Sequence, residues 1–125
     1  MAVLPRGTGS FRFGREERLK KRGQIKEVFK KGKPFGCAGA KLFVSRNGLG
    51  LNRICFTFAR GFAGAVRRNR AKRLGREAYR MLKPGLKPGF DLIFLAYPER
   101  QDLRPGLAER LKQMELLFTR AGLRK

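Results

Sequence analysis

The amino-acid sequence predicts an α/β (α+β) two-layer sandwich, with helices covering one small sheet. Three observations lead there. Stretches with helical spacing alternate with short β-like runs. One nearly continuous apolar run, "FDLIFLAYP" (90–98), has the pattern of a central buried strand. A chain of 125 residues can bury one modest core but not two.

Residues 1–14 are rich in Gly and Arg and aperiodic, and read as a flexible basic N-terminal arm ahead of a single domain at 15–125. From Glu16, "EERLKKRGQIKEVFKKG" places Ile25, Val28 and Phe29 at i, i+3, i+4, which predicts an amphipathic helix to Lys31. Gly23 weakens the first half of that helix, Gly32 stops it and Pro34 forbids its continuation. The pattern allows a short strand around 35–39. "AKLFVSR" (40–46) and "NRICFTFAR" (52–60) are β-like runs, and the "NGLGLN" between them reads as a hairpin connection. Residues 61–82 read as helix. "KPGLKPGF" (83–90) is a double Pro-Gly breaker before the apolar strand. From Asp102, "DLRPGLAERLKQMELLFTRAGL" is helical, with Leu107, Leu111, Met114, Leu117 and Phe118 on one face. The expected order is helix, strand, strand, helix, strand, helix.

Charge points to the partner. The chain holds 31 Lys+Arg against 9 Asp+Glu, a formal charge of +22, and such self-repulsion calls for a densely anionic counterpart. Nucleic acid fits best, because phosphate contacts release counterions and drive binding. A sheet of anionic lipid is the second choice. No apolar run approaches the roughly 18–20 residues of a membrane span. The N-terminus lacks the apolar region of an export signal, so a cytoplasmic location is expected. Cys37 and Cys55 are far apart and histidine is absent, which disfavours zinc sites and Ser-His or Cys-His catalysis. The nine acids form no cluster suited to a metal-dependent nuclease. No catalytic residue, bound metal or bound cofactor is expected of the chain itself.

The densest cationic stretch is "AVRRNRAKRLGREAYR" (65–80), with seven Lys/Arg and one acid, Glu77. At about 100° per residue, Ala71, Leu74, Ala78, Met81 and Leu82 gather in one stripe. Asn69, Lys72, Arg73, Arg76 and Arg80 lie opposite, with Arg68 and Arg70 at the edges. A solvated face normally mixes signs to gain i,i+4 pairs, and here only Glu77 can supply one. A membrane-surface helix needs bulky apolar residues opposite its charges, and this stripe is largely alanine. A face of one sign that binds nucleic acid is the better account.

The same residues resemble the signature helix of the bacterial ribonuclease P protein subunit: Arg68-Asn69-Arg70, then Lys72-Arg73, then Arg76. "RLKKRGQIKEVFKKGK" is similar to that family's first helix, "ICFTFARGFAGAV" to its strand and loop before the signature, and "FDLIFLAYP" to its last strand. The resemblance covers roughly residues 18–121. It implies a small mixed four-stranded sheet with a left-handed crossover into the basic helix. It also implies two RNA surfaces. The signature helix, with Arg68, Asn69, Arg70, Lys72, Arg73, Arg76 and Arg80, would sit against the catalytic RNA, which performs Mg²⁺-dependent hydrolysis. A cleft formed by Ile25, Phe29, Phe43, Thr57 and Arg60 would hold the 5′ leader of precursor transfer RNA. Strand alternation agrees, turning Phe43 away from Leu42 and Val44, and Cys55 and Thr57 away from Phe56 and Phe58. No obligate protein partner and no membrane are implied.

Two departures stand out. Ile25 replaces an aromatic residue. The loop Ala59-Arg60-Gly61-Phe62-Ala63-Gly64 lacks one basic residue and the Asn usual before the helix. Arg6, Arg12 and Arg15 are candidates to compensate the charge. A small basic ribosomal or translation-associated protein would share size, charge and this kind of fold, but gives no reason for the Arg-Asn-Arg spacing.

Overall fold

Strand β4 (Phe90–Ala96) is the apolar run singled out above, and the sheet is built around it. Five of its seven residues are buried: Asp91, Leu92, Ile93, Phe94 and Ala96. A computed structural model describes residues 14–62, 64–98 and 105–125. The expected basic arm, save Gly14, therefore lies outside the described residues, as do Arg6, Arg12, Ala63 and Asp102. Around β4 stand β1 (Lys33–Cys37), β2 (Ala40–Arg46) and β3 (Arg53–Phe58), in the order β1-β2-β4-β3. The β1–β2 and β2–β4 pairs are antiparallel and the β3–β4 pair is parallel. The short strand allowed at 35–39 is β1.

Helix α1 (Arg22–Lys31) covers one face of the sheet, packing Val28 against Ile93 and Leu19. Helices α2 (Ala65–Leu82) and α3 (Leu107–Arg120) lie on the other face, over Leu42, Ile54, Leu92 and Phe94. The expected mixed four-stranded sheet with its helical cover is thus present, the helices being shared unequally between its faces.

The structure corrects the predicted hairpin. β2 and β3 are not neighbours, because β4 lies between them. Their connection instead crosses the entry to β4, where Asn47 N–H donates to Gly89 O (2.9 Å) and Gly89 N–H to Leu51 O (3.3 Å). Buried Asn52 clamps the crossing, accepting from Phe90 N–H and donating to Lys87 O. The apolar strand takes the centre because it alone is apolar on both faces. The real hairpin joins β1 to β2 through Ala38-Gly39. Gly39 has φ +87°, and a Cβ there would stand 2.6 Å from Gln113 Nε2, which donates to Ala38 O.

Helix boundaries shift as well. Residues Arg15–Glu17 form a single 3-10 turn, and the first helix proper starts only at Arg22. The central helix starts at Ala65 rather than 61. Its buried face is Ala71, Gly75, Ala78 and Tyr79, whereas Met81, expected in the apolar stripe, is exposed. The face is rotated because α2 presses on both β3 and α3: a Cβ on Gly75 would lie 2.8 Å from the Phe56 ring, and Tyr79 meets Phe118 edge-on.

One polar cluster ties the sheet. Asp91, buried at the start of β4, accepts from both Arg53 Nε and Nη2 at 2.7 Å and from Asn47 Nδ2 at 2.9 Å. It joins β3 and the β2 exit to β4 in a forked charge-assisted pair. Asp91→Ala should lower stability by about 3 kcal/mol, since it strands a largely buried guanidinium. Urea unfolding tests this: a loss below about 1 kcal/mol would mark the pair as no stronger than a surface ion pair.

Candidate nucleic-acid interface

The basic helix is placed by the loop before it. Phe62 is buried and its ring lies 4.6 Å from that of Phe58, which anchors the segment leaving β3. Arg68 Nη2 donates to Phe62 O (3.1 Å), and its guanidinium lies 6.0 Å from the Phe58 ring. Arg70 Nη1 donates to Pro105 O (3.2 Å), fastening α2 to the entry of α3. The two arginines of the Arg-Asn-Arg element therefore brace the helix on both edges. Asn69, Lys72 and Arg73 are exposed between them, and Arg76 is half-buried. Arg80 pairs with Glu77 at 2.6 Å, as the spacing allows. The wheel's assignment of the outer face holds for Asn69, Lys72 and Arg73, and the structure adds what Arg68 and Arg70 grip.

On the opposite side of the sheet, α1 leaves part of that face open. Phe29 projects from α1 with 41% of its surface exposed, and meets Phe43 edge-on at 4.9 Å. Ile25 is half-buried against Leu19, Val28 and Ile93. Lys41 holds its ammonium 5.5 Å from the Phe43 ring centre. The structure thus brings Ile25, Phe29 and Phe43 together. Thr57 faces the same way but sits farther off: the sheet aligns Phe43 with Ile93 and Cys55, while Thr57 aligns with Leu95 and Lys41. Thr57 lies two strands across from β2, roughly 10 Å at the usual interstrand spacing. Arg60 is exposed in the turn beyond β3.

Sequence reasoning placed Cys55 on this surface beside Thr57 but missed two members, Lys41 and Leu95. Alternation alone places both with Phe43 and Thr57, so the signal was present in β2 and β4. Burial pushes the Cys55 thiol up, with the charge of Lys72 opposing in part, so it is a neutral thiol at neutral pH. Burial, opposed by Arg120, raises Cys37 likewise. Both cysteines are free.

Among the described residues no three His, Cys, Asp or Glu side chains gather as a metal site. Glu17, Glu27, Glu77, Asp91 and Glu115 are each engaged with a Lys or Arg. Among the described residues no helix is long and apolar enough to cross a membrane. The two surfaces can bind phosphates and stack bases.

A ribonuclease P family model matches residues 13–122. Over 78 residues the chain is 42% identical to the ribonuclease P protein component of Natranaerobius thermophilus, covering 62% of this chain and 68% of that one. It is 40% identical over 86 residues to the protein of the same description from Borrelia duttonii, covering 68% and 75% respectively. Its fold is similar to the solved ribonuclease P protein of Thermotoga maritima, with a TM-score of 0.71 at 28% identity, covering 83% of this chain and 96% of that one. Family match, relatives and fold agree: the chain belongs to the ribonuclease P protein family, the protein component of the bacterial endoribonuclease that matures transfer-RNA 5′ ends.

Proposed function

We propose that the outer face of α2 binds the catalytic RNA of ribonuclease P, while the groove between α1 and the sheet holds the 5′ leader of precursor transfer RNA. The observation that carries this reading is Phe29, a large aromatic ring left 41% exposed against Phe43 beside a lysine, on a chain whose basic helix faces elsewhere. Half-open aromatic rings flanked by cations suit unpaired bases. A ribosomal role would leave both the groove and the family match without a reason.

In this reading the RNA carries out the hydrolysis with Mg²⁺, and this chain works by position and charge. Lys72, Arg73 and Arg76 neutralise phosphates where RNA strands converge, and Asn69 offers its amide to a base edge or 2′-hydroxyl. Arg68 and Arg70 keep spare N–H donors while bracing the helix. Ile25, Phe29, Phe43, Thr57 and Arg60 bind the leader away from the scissile bond, so a precursor is held more tightly than a leaderless product. The site of action is the bacterial cytoplasm, where precursor transfer RNA is made.

Cleavage at the mature 5′ end at low Mg²⁺ should require both a bacterial catalytic RNA and this protein. Cleavage by the protein alone would overturn the assignment of the chemistry to RNA. Arg73→Ala should weaken binding to that RNA and flatten the plot of log affinity against log salt by about one, the loss of one phosphate contact. An unchanged slope would remove Arg73 from the interface.

Phe29→Ala separates a binding residue from a core one. With its ring half in water, the substitution should cost only about 1 kcal/mol of stability. Affinity for precursor with a leader should fall about tenfold, the scale of one lost base–aromatic stack, and affinity for leaderless transfer RNA should not change. Equal losses for both RNAs, or an unfolding cost of about 3 kcal/mol as for a buried Phe, would show ordinary packing instead.

A further inference from the structure

The outer edge of β3 joins the two surfaces. Residues 14–20 run along it as a strap. Leu19 N–H donates to Ile54 O at 3.0 Å, and Arg18 pairs with Ile54 in a parallel bridge. Glu17 fastens the other end, pairing with Lys83 at 2.6 Å and accepting from Gly14 N–H. Both side chains of that pair are largely buried, at 11% and 19% exposure. Leu19 is buried against Val28 and Ile93. The strap is thus held at three points and presents Arg18 and Lys20 toward α2.

Between strap and helix lies a cleft of about 250 Å³, lined by Arg18, Lys20, Lys72 and Arg76 over Cys55 and Phe56. A second cleft of about 230 Å³ adjoins it and shares Arg18 and Arg76, with Arg73, Glu77 and Arg80 completing it. Four cations line the first cleft with no carboxylate, and four line the second with one. Such a concentration of like charge is self-repelling without an anion. Two adjoining clefts that share two arginines can take successive phosphates of one strand. Cys55 belongs to the face that carries Phe43, whereas Phe56 packs under α2, so the first cleft opens onto both surfaces.

We propose that the edge of β3 is a phosphate track, in which Arg18 and Lys20 of the strap join Lys72 and Arg76 of α2 to hold RNA backbone passing between the groove and the basic helix. The proposal rests on the RNA-binding reading of α2 and adds to it a binding role for the strap. Glu17 and Lys83 act as positioning residues that keep the strap at the track.

The test uses the full-length protein with Arg18→Gln, Lys20→Gln and both together, beside Arg73→Ala. Two affinities are measured across a salt series: protein for catalytic RNA, and reconstituted holoenzyme for precursor with and without its leader. The double variant should lower affinity about tenfold and flatten the salt plot by one to two in one of these arms. Loss in the first arm assigns the phosphates to the catalytic RNA. Loss confined to leader-bearing precursor assigns them to the leader. Arg18→Lys should restore the slope, which a purely structural role would not require. Lys20 is exposed, so Lys20→Gln alone tests the track should Arg18→Gln fail to fold. Unchanged slopes in both arms, with Arg73→Ala still weakening binding, overturn the track and leave the reading of α2 standing. If Arg73→Ala is silent too, both fall.

Discussion

Burial of β4 on both faces is the constraint from which the rest of the molecule follows. A strand apolar on both sides must lie inside a sheet covered above and below. With β2 and β3 on its flanks and helices on its two faces, β4 separates the molecule into two sides. One side is closed by α2 and α3. Among the described residues the other is covered by the ten-residue α1 and Leu19 of the strap, and beside them Phe29 and Phe43 leave an aromatic groove. The groove and the basic helix are therefore consequences of one strand's position. They meet at β3 because β3 is the edge beside α2.

Charge imposes the second condition. A chain with a net charge of +22 and only nine acids must hold its cations in place largely without carboxylates. On α2 it does so with backbone carbonyls. Arg68 and Arg70 bond to Phe62 O and Pro105 O, neutral acceptors that fix the guanidinium without cancelling its charge. Carboxylates are spent elsewhere: Asp91 locks β3 to β4, and Glu17 locks the strap to the end of α2. Few acids thus serve as internal fasteners, and the outer face of α2 keeps nearly a single sign.

Much of this was legible in the sequence because it depends on local pattern. Period-two alternation sorted Phe43 and Thr57 from Leu42 and Phe56, and the 3.6-residue period sorted Lys72 and Arg73 from Ala71 and Ala78. What failed was whatever depends on partners distant in the chain. "NGLGLN" has the composition of a hairpin, and nothing local says that residues 90–96 will enter between the strands it joins. Met81 fits an apolar stripe, but the helix is turned by Gly75 against Phe56 and by Tyr79 against Phe118. Arg18 looked like one more cation of a basic segment. Only its pairing with Ile54 brings it beside Arg76.

In the proposed reading the chain leaves the chemistry to the RNA, and such a subunit can still govern a reaction if it binds the precursor and the catalyst at once. Binding energy gained on the leader acts only on molecules that still carry one, so in the proposed reading it selects precursor over product. That selection requires the groove and the helix to be rigidly related, since a loose linkage would forfeit the gain in orientation. The β3 edge supplies the rigidity: β3 is hydrogen-bonded to β4 along one side, and on the other its Ile54 carries the strap that Glu17 pins to α2's end. The element that joins the two surfaces mechanically is also the one whose cations lie between them. Mechanical coupling and electrostatic continuity therefore reside in the same few residues, and the strap belongs to the working part of the protein.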